Sequence, residues 1–257
     1  MVNERALMLS GLPGKASMIQ ASGSVSLGVK AYASYHLLGQ ELYITTTHIT
    51  TLIVLAVLIT FCVAANKAIK NADPNEAPSG FMNVVELLVE MLDKLVVANM
   101  GAKHGMDFAN YIGMLAGFIL CSNISGLFGL RPPTADFGTT LALALMTWVQ
   151  IQYNGFKYNG FGKIKALFEP IPLLFPINFI GEFSCLVSLS LRLFGNVLSG
   201  SVMMALIYGL LPKLVTLFWP AALHAYLDVF SGAIQTFVFM MLSMVFIANA
   251  IGDEAAA

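Results

Sequence analysis

Arg192 is the residue in this chain whose position most clearly indicates chemistry. It lies in an apolar, helix-compatible stretch, residues 183–198, that contains no other charge. A guanidinium stays protonated in proteins, and placing one at the centre of a membrane span costs at least about 2.5–3.5 kcal/mol. Ser188, Asn196 and Ser199 are spaced so that they share one helix face with it. A cation kept at this cost predicts a negative group opposite it.

A second polar face occurs in the last apolar segment. His224, Asp228 and Gln235 fall at positions i, i+4 and i+11 of a helix. Glu182 precedes Arg192 by ten residues, so acidic groups are expected on both sides of the arginine level. Ionisable groups inside a membrane mark ion pathways by default. The arrangement predicts two water-filled half-paths separated by a fixed cation, because a straight-through pore would dissipate an ion gradient.

Each of these residues also has a simpler interpretation. Arg192 could be a structural cation paired with Asp228, and Asp228 could instead be an acid at a helix start near the water interface. His224 could be an interfacial residue. Asn196 or Gln235, taken singly, could be a hydrogen-bonding residue between helices. The serines could serve only as small packing residues.

The composition is that of an integral membrane protein. Of the 257 residues, 58% are hydrophobic and 11% charged, with a mean hydropathy of +0.79, whereas soluble domains carry about 25% charged residues. The apolar stretches suffice for roughly five helical spans of about 20 residues. Barrel-type alternation is absent, so the expected fold class is all-α. The net charge of −1 gives no indication of nucleic-acid binding.

Neither a cofactor nor a metal is expected. The chain has three cysteines but no CxxC pair or His/Cys cluster, so the cysteines and the 14 methionines are interpreted as packing residues. No phosphate loop of the GxxxxGK[ST] type is present. We therefore expect a protein that is not a catalyst by itself.

Three spans are predicted before the Arg192 segment. They run from about Thr45 to Ala68, from about Phe108 to Leu130, and from about Thr139 to Tyr153, with room to continue past Asn154. A basic, Gly-rich loop is expected over residues 154–165. A poorly ordered or surface-lying extracytoplasmic tail is expected at residues 1–43, and a single membrane domain at residues 44–257.

Residues 81–100 have a different pattern, in which apolar residues repeat at helical spacing opposite Glu86, Glu90, Asp93 and Lys94. This pattern predicts an amphipathic helix that lies at the membrane interface. The alternative is a helix that packs against other protein.

The last two segments are too long for upright spans. Residues 173–211 would form a helix of about 58 Å, and residues 221–251 one of about 46 Å, while the hydrocarbon core is about 30 Å thick. Either two helices meet within the first segment or a single helix is strongly tilted. We predict a long, strongly tilted hairpin over residues 172–251, although ordinary tilt averages only about 20°.

The distribution of basic residues predicts the topology. The loops of one side hold most of them: Lys67, Lys70, Lys94, Lys103, Lys157, Lys163 and Lys165. The other side has only Arg131 and Lys213 in its loops. The positive-inside rule places the first side in the cytoplasm, the N-terminus outside and the C-terminus inside.

The sequence around Arg192, SLRLFGN at residues 190–196, resembles subunit a of the F-type ATP synthase in its bacterial and chloroplast form. The resemblance covers roughly residues 36–251 and is specific because several motifs match together. The others are NISG at 123–126, PTAD at 133–136 followed by Thr140 and Leu141, PINFIGEF at 176–183 and IQTFVF at 234–239.

This resemblance implies a mechanism. Arg192 would face the essential carboxylate of a rotating ring of c subunits and would separate two half-channels, with Asn196 and Gln235 beside it. The outer half-channel would contain Asn123, His224 and Asp228, with Ser199 and Ser201. The inner one would contain Asn178 and Glu182, with Ser188. The amphipathic helix would contact the subunit b dimer. The ion would be H⁺, with Na⁺ as the alternative.

Two positions depart from the family pattern. Some members carry an acid or a histidine nine residues after the arginine, where this chain has Ser201. Many bacterial members carry a histidine seven residues before the glutamine, where this chain has Asp228. The mitochondrial signature around the arginine is absent, so the resemblance implies a bacterial cytoplasmic membrane.

Two other classes of protein remain open at this point. A stand-alone secondary transporter or channel would often show an internal repeat of broken helices, and no second copy of the hairpin is found. A structural membrane anchor would tolerate leucine at position 192.

Overall fold

The computed structural model describes residues 31–37, 40–71, 80–168, 171–210, 223 and 225–252. Within these ranges, four helices are long and apolar enough to cross a membrane: Thr46–Lys70, Gly80–Phe128, Pro172–Ile207 and Tyr226–Ile251. This confirms the all-α membrane fold class. The count of five spans stays a prediction, because the third predicted span forms a long helix that is more polar than these four.

An antiparallel pair of strands precedes the first helix, and the sequence analysis did not predict it. Strand β1 (Ala31–Leu37) pairs with β2 (Gln40–Thr45), with Leu37 opposite Gln40. Aromatic and β-branched residues favour strands, and here they lie at the end of a segment whose Gly, Ser and Ala content indicated a tail. The paired strands are not poorly ordered, so a surface-lying segment is the alternative that stays open for residues 31–37 and 40–43. Residues 1–30 and 38–39 lie outside the described part.

The first span is confirmed as α1 (Thr46–Lys70). The backbone N–H of Thr45 donates to Nδ1 of His48 (3.4 Å), which satisfies one group at the start of the helix. The hydroxyls of Thr50 and Thr51 bond to carbonyls one turn earlier. Most of the apolar side chains of α1 are exposed, as expected for a helix that faces lipid.

Helix α2 (Gly80–Ile124) joins the amphipathic segment to the second span. Gly101 interrupts it with φ 77° and ψ 160°, a backbone conformation that glycine adopts at little cost. The kink folds the two halves together, since Gly105 lies against the backbone of Val96. The predicted amphipathic helix thus ends where expected. Its Glu90–Lys94 pair (2.6 Å) is exposed and stabilises the helix little.

The helix of the third predicted span continues past Asn154, as the prediction allowed, whereas the predicted basic, Gly-rich loop is wrong. Helix α3 (Phe137–Asn159) runs through residues 154–159, and α4 (Gly162–Phe168) follows after a turn of two residues. The Asn154 amide donates to the carbonyl of Gln150 (2.8 Å), so its polar group is satisfied within the helix. Composition suggested a loop, but the local hydrogen bonds and the packing of α4 on α3 favour helix.

The segment containing Arg192 is a single helix, α5 (Phe175–Leu210), which settles one alternative. Its 36 residues correspond to about 54 Å. Helix α6 (Gly232–Ile251) follows a π-helical turn at Ala225–Ser231. The turn of the predicted hairpin, residues 211–222, and His224 lie outside the described residues. The strong tilt stays a prediction.

Two core clusters hold the helices together, and α2 contributes to both. The first joins α2, α3 and α6 through Val96, Met100, Phe108, Ala109, Ile112, Ile151, Met244, Ile247 and Ile251. The second joins α2, α3, α5 and α6 through Leu115, Ile119, Ala144, Leu189, Leu193 and Phe239. Since Leu189 and Leu193 flank Arg192 along α5, this second cluster fixes the level and rotation of the arginine.

Candidate functional site

Arg192 lies on the surface of the folded chain. Its neighbour Leu193 is buried in the core, whereas Arg192 itself and Leu191 are exposed. Within the described ranges, no hydrogen bond or ion pair reaches the guanidinium, and none joins it to Asp228. The interpretation of Arg192 as a structural cation paired with Asp228 is therefore wrong for the described chain. The cation faces outward from a membrane helix.

Of the two amides expected beside the arginine, Asn196 has a hydrogen-bond partner and the Nε2 of Gln235 has none among the described residues. The Ser231 hydroxyl donates to Oδ1 of Asn196 (3.2 Å), which links α5 to the turn before α6. Gln235 is 8% exposed, and among the described residues its Nε2 has no hydrogen-bond partner. A buried donor without a partner costs about 1–3 kcal/mol. No hydrogen bond joins Gln235 to Arg192 in this part of the chain, so their pairing stays a prediction.

A buried polar cluster joins the second span to the start of α6. Thr134 donates to Oδ1 of Asn123 (2.8 Å), and the Asn123 amide donates to the carbonyl of Gly232 (3.2 Å). A Cβ at Gly232 would lie 2.8 Å from that of Asn123, so this approach requires a glycine. Sequence reasoning identified Asn123 but missed the roles of Thr134 and Gly232. Thr134 lies in the PTAD motif, which was the available signal.

A cavity of about 860 Å³ opens beside this cluster. It brings together four of the five residues predicted for the outer half-channel: Asn123, Ser199, Ser201 and Asp228. The fifth, His224, lies outside the described residues. Of the two amides expected beside the arginine, Asn196 lines this cavity and Gln235 does not. The Asp228 carboxylate packs against Gly126, since a Cβ added there would lie 3.2 Å from the carboxylate carbon. Residues far apart in the sequence thus form one polar wall.

Charged groups of the turn before α3 also line this cavity. Arg131 and Asp136 are both part of its wall. Burial lowers the pKa of the Arg131 guanidinium, and the nearby Asp136 carboxylate opposes that shift. Spacing along the sequence did not reveal that Arg131 lies at this cavity.

A second cavity, of about 910 Å³, lies at the other end of α5 and shares no lining residue with the first. Asn178 and Glu182 line it, as predicted for the inner half-channel, whereas Ser188 does not. Sequence reasoning missed Lys163 and Asn249, which also line it. They come from α4 and α6, and only the folded chain brings them to Glu182.

Glu182 is held by three contacts. Gln152 donates to Oε2 (2.7 Å), the Trp148 indole N–H donates to the backbone carbonyl (3.0 Å), and Nζ of Lys163 lies 3.8 Å from Oε2. Nearby, the Asn178 amide donates to the carbonyl of Leu167 (3.0 Å), which ties α5 to α4. The carboxylate is therefore fixed at the cavity wall.

The two cavities flank the level of Arg192. Glu182 precedes the arginine by ten residues and Ser201 follows it by nine. At 1.5 Å per residue they lie about 15 Å and about 13 Å from it along the axis. The exposed cation is thus interposed along one helix between two separate cavities that each have polar side chains in their walls.

The fold and the site define a multi-pass helical membrane protein that has, at two levels, cavities with polar side chains in their walls. A family model described as ATP synthase A chain matches residues 48–248. The chain belongs to the ATP synthase A chain family, whose members are ion-translocating subunits of the membrane sector.

Individual relatives are consistent with this assignment. The chain is 38% identical over 208 residues to an ATP synthase subunit a of Geotalea uraniireducens, covering 79% of this chain and 86% of that protein. It is 34% identical over 244 residues to a chloroplastic subunit a of Stigeoclonium helveticum, covering 90% and 93%. It is 45% identical over 163 residues to a sodium ion specific subunit a of Propionigenium modestum. That match spans 57% of this chain and 55% of that protein.

Proposed function

We propose that this chain is the stator that guides ions to and from a ring of c subunits, through two offset half-channels separated by Arg192. The observation that carries the proposal is the exposed guanidinium, unpaired within the described chain and interposed between two unconnected cavities. An essential carboxylate on the ring would supply the missing negative charge. The drive would be about 2.3 kcal/mol per charge per 100 mV.

The outer cavity supports the role of an entry path. Its carboxylate, amide and hydroxyl groups, from Asp228, Asn123 and Ser199, can relay a proton or coordinate a cation. In the proposed cycle, an ion passes along this wall, neutralises a ring carboxylate and travels with it through lipid. The ion is H⁺ in this proposal, and the sodium-specific relative makes Na⁺ the alternative.

The inner cavity supports the role of an exit path. Glu182 and Asn178 line it at the end of α5 that the positive-inside rule assigns to the cytoplasm. A ring carboxylate that approaches Arg192 would release its ion because the guanidinium stabilises the ionised form. The same cation would prevent an ion from passing directly between the cavities.

Replacement of Arg192 by alanine tests the proposal. We expect Arg192→Ala to abolish ion-driven ATP synthesis by the whole complex in reconstituted vesicles, since nothing would then enforce release from the ring. The matched control is Leu191→Ala, an exposed neighbour on the same helix (51% exposed), which should retain synthesis. Unchanged synthesis by Arg192→Ala in an intact complex would refute the proposal. Unchanged synthesis by Arg192→Leu would indicate a structural membrane anchor.

The amphipathic part of α2 supports a contact with subunit b, just as Arg192 supports the proposed contact with the ring. Its Val84, Leu87, Leu88 and Met91 are about half exposed or more. An exposed apolar row of this kind fits either a membrane surface or a partner helix. In the proposed complex it lies at the cytoplasmic surface beside the subunit b dimer.

A further inference from the structure

Lys163 occupies an unusual position for a lysine of a connecting segment. It lies on the short helix α4, yet its side chain is only 11% exposed. Nζ lies 3.8 Å from Oε2 of Glu182, at the wall of the inner cavity. Burial lowers the pKa of the Lys163 ammonium, and the Glu182 carboxylate opposes that shift. The carboxylate therefore helps to stabilise a charge that burial disfavours.

The position of Lys163 is built into α3. A Cβ added to Gly155 would lie 2.6 Å from Nζ and 2.7 Å from Cδ of Lys163, so the lysine occupies a slot that exists because position 155 has no side chain. Glycine inside a helix is about 1 kcal/mol less favourable than alanine. Nζ also lies 5.6 Å from the centre of the Phe156 ring, within the range of a cation–π contact.

Helix α4 is itself fixed to α5. The Asn178 amide bonds to the carbonyl of Leu167 (3.0 Å), and Phe168 stacks on Phe175 with ring centres 4.6 Å apart. Both contacts join the end of α4 to the helix that carries Glu182. The fold thus holds the lysine and the carboxylate in register.

The contacts of Glu182 divide its two carboxylate oxygens. Gln152 and Lys163 both contact Oε2, while no residue in the described ranges donates a hydrogen bond to Oε1. A carboxylate held through one oxygen presents the other in a fixed direction, and here that oxygen is the one left for an ion or a water in the cavity.

We propose that Lys163 is a positioning residue of the inner half-channel, which lies in the Gly155 slot, holds Glu182 through Oε2 and presents Oε1 to the passing ion. This inference rests on the proposed function of Glu182. It predicts that the lysine affects ion transfer through that carboxylate, because Glu182 is the acid that Lys163 contacts within the described ranges.

A double-mutant cycle tests the inference. ATP-driven ion pumping by the whole complex is measured in inverted vesicles for Lys163→Met, Glu182→Gln and the double variant. Methionine keeps much of the length of lysine but removes its charge. We expect Lys163→Met to lower the pumping rate about five-fold. That loss corresponds to about 1 kcal/mol, which is the upper value for the free energy that an exposed ion pair contributes. In the Glu182→Gln background it should have no further effect.

The control is Lys157→Met, which removes an exposed lysine at the end of α3 whose Nζ lies over the Tyr158 ring. Its pumping rate should be that of the unmodified complex. A five-fold loss that persists in the Glu182→Gln background would show that Lys163 acts structurally and would overturn the inference. So would a normal rate for Lys163→Met.

A second variant covers the case in which Lys163→Met fails to assemble. Gly155→Ala keeps the lysine but fills its slot, and the flexible side chain can move aside, so assembly should be normal. We expect a loss of pumping that is absent in the Glu182→Gln background, and a normal rate would refute the positioning role. If Glu182→Gln itself pumps normally, the proposed inner half-channel fails. If only the lysine and glycine variants pump normally, the half-channel stands without this inference.

Discussion

Asp228 packs closely against the chain at the outer cavity. Its carboxylate carbon lies near Gly126, and the side chain forms part of the same wall as Asn196 and Ser199. The alternative, an acid that only starts a helix near water, does not explain why it lines a cavity with residues of two other helices. An acid in this place is suited to accept and pass on a proton.

Replacement of Asp228 by asparagine should therefore slow ion entry more than it affects assembly. Asparagine keeps the shape and hydrogen-bonding capacity but cannot exchange a proton. We expect ATP synthesis to fall at least about ten-fold, the effect of about 1.4 kcal/mol on a barrier, with a normal yield of the complex. Asp107→Asn, an exposed acid on α2, is the control. Equal rates at normal yield would remove Asp228 from the path.

At the residue scale, the sequence predicted the polar residues of single helices but not their partners. Helical spacing correctly grouped Asn196 and Ser199 toward one cavity. It could not identify Gln152 or Lys163, because their contacts with Glu182 depend on how α3 and α4 pack on α5. The prediction that Ser188 belongs to the inner half-channel is not supported by the lining of that cavity, which does not include Ser188.

At the scale of elements, the contact between α2 and α6 depends on Gly232. Alanine there would bring its Cβ within 2.8 Å of the Asn123 Cβ and would disturb the hydrogen bond from Asn123 to the Gly232 carbonyl. Overpacking of this kind destabilises by about 1–3 kcal/mol. We expect Gly232→Ala to lower the midpoint of thermal unfolding of the purified membrane sector and to reduce ion flow.

Gly209→Ala is the matched control for this prediction. Gly209 also lies in a helix, and a Cβ there would meet nothing within 4 Å, so its helix should gain up to about 1 kcal/mol. An unchanged unfolding midpoint for Gly232→Ala would mean that the backbones of α2 and α6 can separate freely, contrary to the close contact described.

Helix boundaries were predictable where apolar runs were continuous. For α1 and α5, the predicted and observed starts differ by one or two residues. The prediction was wrong over residues 154–165, where glycine, asparagine and lysine indicated a loop. Tertiary contacts overrode these propensities, because Gly155 receives the Lys163 side chain. The strands at residues 31–37 and 40–45 were not predicted, because their weak strand pattern lies next to a segment whose composition is typical of a tail.

At the scale of the whole molecule, the orientation in the membrane decides which cavity is the entrance. The basic loops predict that the inner cavity faces the cytoplasm and the outer cavity the opposite side. The two ends of the molecule offer exposed sites that can be distinguished chemically. Asn71 follows α1 on one side, and Phe128, 76% exposed, ends the second span on the other.

Single-cysteine variants test this orientation after the native cysteines have been replaced. In intact cells, a membrane-impermeant maleimide should label Phe128→Cys and not Asn71→Cys, and the pattern should reverse in inverted vesicles. A complex that still synthesises ATP is required as the background for both variants. The opposite labelling pattern would exchange the entrance and the exit and would contradict the proposed direction of ion flow.

The outward-facing guanidinium also has a consequence for how the complex is built. In a membrane, an isolated copy of this chain would expose Arg192 to lipid, and the acidic partner proposed for it would remove that penalty by docking. We therefore expect the free subunit to be less stable than the assembled one, with a steady-state abundance that rises and falls with the supply of its partner. The group proposed to prevent ion leakage thus also makes the chain dependent on its partner before any ion flows.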